Sequence, residues 1–184
     1  TQNGLIKHYT TITEEAKVPA ILYNVPSRTG CSLAASTVAY LAKNAEYVTA
    51  IKEASGDISH VADIMYACDG AIDLYSGNDD QIVPILSLGG KGVISVLSNV
   101  APKETHDIVA LFMEGKVKES CELQLKALPL VHALFSEVNP IPVKAALNLM
   151  GKEVGPLRLP LTEMEAAHQA VLAEEMRKFG IKLA

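Results

Sequence analysis

The sequence has few cysteines, no long apolar run and no cluster of basic residues, and each shortage excludes a class of protein. Its three cysteines, Cys31, Cys68 and Cys121, match neither a zinc-ligand pattern nor a redox pair, which favours a reducing compartment. The longest apolar stretches, residues 18–27 and 92–102, fall short of the roughly 18 residues of a membrane span, and no signal-peptide pattern opens the sequence. We therefore expect a soluble, cytoplasmic protein.

The overall composition predicts a folded domain with an acidic surface. Of the 184 residues, 49% are hydrophobic and 20% are charged, which supplies enough apolar surface for a buried core. The 16 Lys and Arg residues are outnumbered by 21 Asp and Glu residues, giving a net charge of -5. Nucleic acids and anionic membranes are therefore poor candidate partners.

The first 100 or so residues alternate between extended and helical patterns. Helices are predicted at residues 4–16, 33–41, 58–65 and 81–88, and strands at residues 20–23, 47–54, 71–76 and 92–96. Asp57 is the expected N-cap of the third helix. Strands that alternate with helices are typical of consecutive βα units on a parallel sheet, so the predicted fold class is α/β. In such folds the loops after the carboxyl ends of the strands form the active site.

After residue 102 the strand patterns stop and only helical patterns follow. Helices are predicted at residues 103–114, 117–138 and 142–150, the second of them with Pro129 in its interior. A last helix is expected to begin at Thr162, capped by its hydroxyl and by Glu165 in a capping box, and to end at Gly180.

One ionisable residue falls within a predicted buried strand. Alternation along residues 47–54 places Lys52 on a face of small side chains with Val48, Ala50 and Ala54. Parallel sheets bury both faces, and desolvation of a lysine lowers its pKa, so the free amine becomes a nucleophile for a carbonyl substrate. The alternative is a lysine on an edge strand, or one that extends into water, without a catalytic role.

Two residues around the preceding strand are candidates for the same site. Tyr23 ends that strand, which places its hydroxyl at the expected active-site end of the sheet. Arg28 follows in a loop bounded by proline and glycine and offers a planar guanidinium suited to a carboxylate. The alternative for this pair is a core tyrosine beside a solvated arginine.

The glycine-containing segment SGNDD at residues 76–80 does not predict a metal site. It resembles a fragment of a calcium-binding loop but lacks the remaining ligands, so a turn and a helix cap are expected there. The histidines have no acidic or cysteine neighbours at ligand spacing, and no metal is expected.

Five segments, taken in order, resemble the dihydrodipicolinate synthase family of pyruvate-dependent class I aldolase-type enzymes. The segments are YNVPSRTG at 23–30, IKEASGD at 51–57, YSGND at 75–79, GVISV at 92–96 and NPIPVK at 139–144. The resemblance covers nearly the whole chain and implies a TIM (β/α)8 barrel followed by a C-terminal helical domain, with the 139–144 turn closing the barrel. It implies no organic cofactor and no metal.

The resemblance also implies roles for individual residues. Lys52 would condense with pyruvate, Tyr23 would relay protons, and Arg28 would hold the carboxylate of aspartate 4-semialdehyde. The implied pocket lining consists of Gly77, Asn78 and Ile94, of which Ile94 would touch pyruvate. The product would be 4-hydroxy-tetrahydrodipicolinate, an intermediate of lysine and diaminopimelate biosynthesis.

Two features distinguish this sequence within the wider superfamily. N-acetylneuraminate lyases and keto-deoxy sugar acid aldolases share the lysine and the tyrosine, but Arg28 together with Glu53 and Ala54 favours the synthase. Many synthases have aspartate where this chain has Asn78, which alters a supporting hydrogen bond and leaves the Schiff-base chemistry intact.

The sequence is short for the implied fold. A (β/α)8 barrel takes roughly 250 residues, whereas about 100 residues with four predicted strands precede the helical part. We therefore expect residues 1–114 to form the C-terminal half of a barrel and residues 115–184 the helical domain. The expected partners are the missing N-terminal half, which would carry the rest of the proton relay, and further subunits of a homotetramer. The chain alone is expected to be inactive, and a non-catalytic assembly module is the alternative function.

Overall fold

The computed structural model describes residues 1–184, which form two compact units, Thr1–Ile94 and Ser95–Ala184. No helix in either unit combines the length and the apolar character that crossing a membrane requires.

The first unit alternates helices with four parallel strands, as the sequence predicted. Its elements are α1 (Gln2–Ala16), β1 (Ala20–Asn24), α2 (Pro26–Thr29), α3 (Ala35–Asn44), β2 (Val48–Glu53), α4 (Ile58–Cys68), β3 (Asp73–Ser76), a 3-10 turn (Asp79–Gln81), α5 (Ile82–Ser87) and β4 (Gly92–Val93). The strands lie in the order β1-β2-β3-β4, so each βα unit adds a strand beside the previous one. The predicted α/β class is confirmed.

One face of this sheet is buried and the other is open. Leu22, Ile51 and Leu74 are adjacent in register on β1, β2 and β3, are at most 1% exposed and pack in one core with residues of α3 and α4. On the opposite face, Ile21 of β1 is 50% exposed and Tyr23 is 43% exposed. The helices therefore cover only one side of the sheet, although parallel sheets are normally covered on both sides.

The pleat of β2 differs from simple alternation at its start. Ala20 pairs with Val48 and Ile21 pairs with Ala50, so the register skips Thr49. Val48 therefore belongs to the buried core with Ile51, and the prediction that it shares a face with Lys52 is wrong. A bulge of one residue reverses the facing of every side chain before it, and periodicity alone does not locate it.

All four strand predictions are correct in position, but β1 extends to Asn24, one residue beyond its prediction, and the other three strands are shorter than predicted. The third strand begins at Asp73 and the fourth ends at Val93. Ile94 still donates a backbone hydrogen bond of 2.9 Å to Ser76, after which the chain turns. The predicted cap of α4 is confirmed, because the Asp57 carboxylate accepts hydrogen bonds from the first backbone N–H groups of that helix.

The second unit contains only helical elements. It consists of a 3-10 turn (Leu97–Asn99), α6 (Pro102–Met113), α7 (Val117–Leu134), α8 (Ile141–Leu149) and α9 (Ala166–Phe179). Leu130, Leu134, Leu172 and Met176 form part of its buried core. Pro129 lies inside α7 as predicted, and this helix ends at Leu134 rather than at residue 138.

The start of α9 differs from the predicted capping box. The helix begins at Ala166, so Thr162 lies outside it, and Glu165 makes no side-chain cap. Glu137, which follows α7, supplies the cap instead: its Oε1 accepts a hydrogen bond of 3.0 Å from the Glu165 backbone N–H and lies 2.8 Å from His168 Nδ1. A residue distant in sequence thus accepts the hydrogen bond of a backbone N–H group at the N-terminus of α9.

The two units meet in sequence between Ile94 and Ser95, and α6 belongs to the second one. The predicted division after residue 114 instead groups this helix with the barrel, because that boundary rests on the βα repeat in the sequence. It stays a prediction about domain organisation.

Replacing Leu74 by alanine should lower the free energy of unfolding by about 2–5 kcal/mol, because the side chain is fully buried and leaves a cavity. Leu125→Ala is the matched control, since Leu125 is 64% exposed and little burial is lost. Chemical denaturation measures both changes. Equal effects of the two variants would contradict the assignment of the core.

Glu137→Ala should destabilise the protein by about 0.5–2 kcal/mol, because it removes the acceptor for the α9 N-terminus. Glu137→Gln keeps a carbonyl oxygen at this position and should retain most of the stability. Thermal or urea denaturation compares the two variants, and an unchanged midpoint for Glu137→Ala would show that the cap contributes nothing.

Candidate active site

Three side chains form a row across the open face of the sheet, close to the carboxyl ends of its strands. Tyr23 is directly opposite Lys52 in register, and Lys52 is directly opposite Tyr75. Parallel strands end at the same edge of the sheet, so the row lies where ligands bind in folds of this class. The structure thus brings together Tyr23 and Lys52, which the sequence placed separately at strand ends.

The Lys52 amine lies against the aromatic face of Tyr23. Its Nζ is 4.3 Å from the centroid of the ring, a distance typical of a cation–π contact. The amine has no hydrogen bond and no ion pair, and Glu53, the next residue, points to the buried face. Because β2 lies between β1 and β3, the edge-strand alternative for Lys52 is excluded. The arrangement presents an unpaired, half-buried amine that is reachable from the open face.

Gly77 leaves the space that the Lys52 side chain occupies. A Cβ atom at position 77 would lie 2.6 Å from the Ala54 Cβ and 3.1 Å from Lys52 Cε. The Gly77 backbone N–H also donates a hydrogen bond of 2.7 Å to the Glu53 carbonyl. Any larger residue at position 77 would displace the end of β2 and the lysine with it.

Asn78 connects the loop after β3 to the loop after β2 through Gln81. Its Nδ2 is 3.4 Å from Gln81 Oε1, and Gln81 Nε2 donates a hydrogen bond of 2.9 Å to the Gly56 carbonyl. The predicted turn is present, because the Ser76 hydroxyl donates to the Asn78 carbonyl at 2.7 Å. Asn78 precedes the 3-10 turn and makes no side-chain cap there.

Arg28 lies on the short helix α2, which Pro26 begins and Gly30 ends with a φ of 65°. The guanidinium is exposed and makes no hydrogen bond, ion pair or cation–π contact, including with Lys52 or Tyr23. Arg28 therefore lies in the loop after β1, and its guanidinium is available to bind a ligand. The structure does not bring this side chain into contact with the Tyr23–Lys52 pair.

Ile94 follows β4 at the far side of the open face. Its backbone N–H is used in the hydrogen bond to Ser76, and its side chain is 39% exposed. The residue therefore offers apolar surface, rather than a free N–H donor, on this face.

A buried polar pair that the sequence pattern did not predict as part of the site lies behind the row. Asn24 and Glu53 are each 2% exposed, and Asn24 Nδ2 donates a hydrogen bond of 2.8 Å to Glu53 Oε2. The available signal was a polar residue at the end of two neighbouring strands, on the face that the apolar residues Leu22 and Ile51 occupy. The structure contains no group of three or more His, Cys, Asp and Glu side chains placed to hold a metal ion.

Comparison with known proteins gives the same result from sequence and from structure. The model of the dihydrodipicolinate synthetase family matches residues 1–178. The chain is 60% identical over 181 residues to the 4-hydroxy-tetrahydrodipicolinate synthase of Lachnoclostridium phytofermentans, covering 98% of this chain and 62% of that protein. The crystal structure of dihydrodipicolinate synthase from Thermotoga maritima aligns with a TM-score of 0.95 at 42% identity, covering 98% of this chain and 62% of that one.

A further solved structure carries a ligand. Chloride-inhibited dihydrodipicolinate synthase from Acinetobacter baumannii, complexed with pyruvate, aligns with a TM-score of 0.94 at 38% identity, covering 99% of this chain and 62% of that one.

The chain thus spans about 62% of the length of these relatives. Their likeness confirms the predicted fold, because the four parallel strands and their helices correspond to part of a (β/α)8 barrel, followed by C-terminal helices. Since the family match extends over almost every residue and the five segments lie in the predicted order, this chain belongs to the dihydrodipicolinate synthetase family.

Proposed function

We propose that the full-length protein containing this chain condenses pyruvate with L-aspartate 4-semialdehyde to give 4-hydroxy-tetrahydrodipicolinate, a step of lysine and diaminopimelate biosynthesis. The observation that carries the proposal is the unpaired Lys52 amine, 4.3 Å from the Tyr23 ring on the open face of the sheet. Family membership, 60% identity to a named synthase and the pyruvate complex of a solved relative support it.

The proposed chemistry begins at Lys52. Its amine nitrogen attacks the keto carbon of pyruvate, a C–N bond forms, and the keto oxygen takes up protons and leaves as water. Loss of a methyl proton from the resulting Schiff base gives an enamine, whose carbon attacks the aldehyde of the second substrate. The amino group of that substrate then attacks the imine carbon, which closes the ring, breaks the C–N bond to the enzyme and releases the Lys52 amine. Tyr23 is the proposed relay for these protons, because its side chain is the direct neighbour of Lys52. No cofactor is required.

The other candidate residues are proposed to bind rather than to react. Arg28 has a free guanidinium and suits the carboxylate of L-aspartate 4-semialdehyde. Ile94 offers apolar surface to pyruvate, while Gly77 and Asn78 line the pocket and hold its loops in place.

The open face of the sheet supports the proposal that this chain is the C-terminal part of a complete enzyme. Strands of a closed barrel on the free edge of β1 would cover Ile21 and Tyr23 and would enclose Lys52. In this proposal residues 1–114 are barrel and residues 115–184 form the helical domain. The complete enzyme is a cytoplasmic homotetramer, and this chain alone has little turnover.

Incubating the full-length protein with pyruvate and borohydride should attach a reduced pyruvyl group to Lys52, because borohydride traps the Schiff base. Mass spectrometry of the digested protein locates the adduct. Lys52→Arg should abolish it, whereas Lys91→Arg, a change at an exposed lysine just before β4, should not.

Absence of an adduct at Lys52 in the unmodified enzyme would refute the mechanism. Product analysis with L-aspartate 4-semialdehyde and with a sugar aldehyde then distinguishes the synthase from the sugar-acid aldolases. Turnover of the sugar aldehyde alone would refute the proposed substrate.

Arg28→Ala should raise KM for L-aspartate 4-semialdehyde by about 10- to 100-fold, because it removes charge-assisted hydrogen bonds to the substrate carboxylate. The rate of trapping with pyruvate alone should stay close to that of the parent. Arg28→Lys should give an intermediate KM, since an ammonium retains the charge without the planar fork. Steady-state kinetics with each substrate varied in turn measure these effects, and a loss confined to pyruvate would contradict the assignment.

A further inference from the structure

A cluster of buried polar side chains lies behind the Tyr23–Lys52–Tyr75 row. Asn24, Glu53 and Ser76 each follow one member of the row, are adjacent in register, and are at most 2% exposed. Because successive residues of a strand point to opposite faces, this cluster faces the helices while the row faces the open side. Each polar residue is thus bonded through the backbone to a residue of the candidate site.

Both carboxylate oxygens of Glu53 accept hydrogen bonds from N–H groups. Oε2 accepts from Asn24 Nδ2 at 2.8 Å, and Oε1 accepts from the Ser55 backbone N–H at 2.6 Å. The first bond joins the last residues of β1 and β2 side chain to side chain. The second holds the loop that follows Lys52 against its own strand.

Asn24 uses its other end to hold the segment that contains Arg28. Its Oδ1 accepts a hydrogen bond of 3.0 Å from the Leu33 backbone N–H, which closes residues 25–33 into a loop over the end of β1. Its carbonyl accepts from Ala54 N–H at 2.9 Å. One asparagine therefore connects the end of β1, the end of β2 and the return of the Arg28 loop.

Such a cluster is a costly way to stabilise a sheet. A buried carboxylate is tolerated only when its hydrogen bonds are made, and apolar residues of similar size often stabilise a protein equally well or better. Beyond stability, the cluster fixes the local geometry, because each hydrogen bond sets the position of one strand end relative to another.

We propose that Asn24 and Glu53 are positioning residues for the reaction at Lys52. They hold β1 and β2 in the register that places the Lys52 amine over Tyr23, and they hold the Arg28 loop at the same edge. The inference rests on the proposed function, since it assigns a role in the Schiff-base chemistry at this site.

The donors and acceptors of the pair allow a test by exchange. Glu53→Gln places an amide NH2 against an N–H group whichever way it turns, because both present partners are donors. Asn24→Asp places two carboxylates against each other. In the double variant N24D/E53Q, the new glutamine donates to the new aspartate and still accepts from Ser55, while the aspartate still accepts from Leu33. The hydrogen bond between residues 24 and 53 is restored with its direction reversed, the bonds from Ser55 and Leu33 keep their direction, and the total charge is unchanged.

The measurement is the rate of borohydride-trapped adduct formation at saturating pyruvate in the full-length protein. Rates are taken well below the unfolding midpoint of each variant and expressed per folded molecule. We expect each single variant to be slower by about 10- to 100-fold, because misplacement of reacting groups costs rates of that order. The double variant should recover to within about 3-fold of the parent.

Two further measurements distinguish a positioning role from an effect on stability alone. Val61→Ala, in the buried core of α4, should lower stability but leave the trapping rate near that of the parent. Asn24→Asp should also raise KM for L-aspartate 4-semialdehyde, since it disturbs the Arg28 loop, and N24D/E53Q should restore it.

Single variants that unfold more easily but trap pyruvate at the parental rate would overturn the inference. So would slow single variants that the double variant fails to rescue. Failure of the parent itself to form an adduct at Lys52 would instead refute the proposed function, and the positioning role would fall with it.

Discussion

The candidate site depends on the register of two parallel strands over their last two residue pairs. Tyr23 opposes Lys52, and Asn24 opposes Glu53 one residue later. The pleat sends the first pair to the open face and the second pair to the buried face. A shift of β2 by one residue would break both pairs, bringing the Glu53 carboxylate to the reactive side and burying the Lys52 amine. The hydrogen bond between Asn24 and Glu53 opposes that shift where the ladder ends.

One face of the sheet supplies stability, and the other carries the candidate reactive groups. Leu22, Ile51 and Leu74 are almost completely buried, and each contributes about 1.5–3 kcal/mol by its removal from water. Tyr23 and Lys52 lie on the opposite face, are only partly buried and add little to this core. The sheet is thus held together by side chains that take no part in the proposed reaction, which leaves the open face free to present reactive groups.

Local patterns predicted the elements well and their long-range partners poorly. The alternation of helix and strand and the Asp57 cap follow from spacing within a few residues, whereas only the strand order shows that Lys52 lies on an internal strand. The skipped register position at Thr49 depends on how β1 pairs with β2, so alternation along β2 alone misplaced Val48. The cap of α9 comes from Glu137, 28 residues before Glu165, whereas the local pattern pointed to Thr162. In both cases a partner distant in sequence decided the outcome.

The sequence by itself determined the α/β class, the residue types of the candidate site and, through five ordered segments, the family. These depend on periodicity and on chemistry that each residue carries wherever it lies. Only the tertiary structure decided that the Lys52 amine rests on the Tyr23 ring, that Gly77 makes room for it, and that Asn24 and Glu53 join behind the pair. Contacts of this kind form when separate strands align side by side, and strand register is a property of the folded sheet rather than of any one segment.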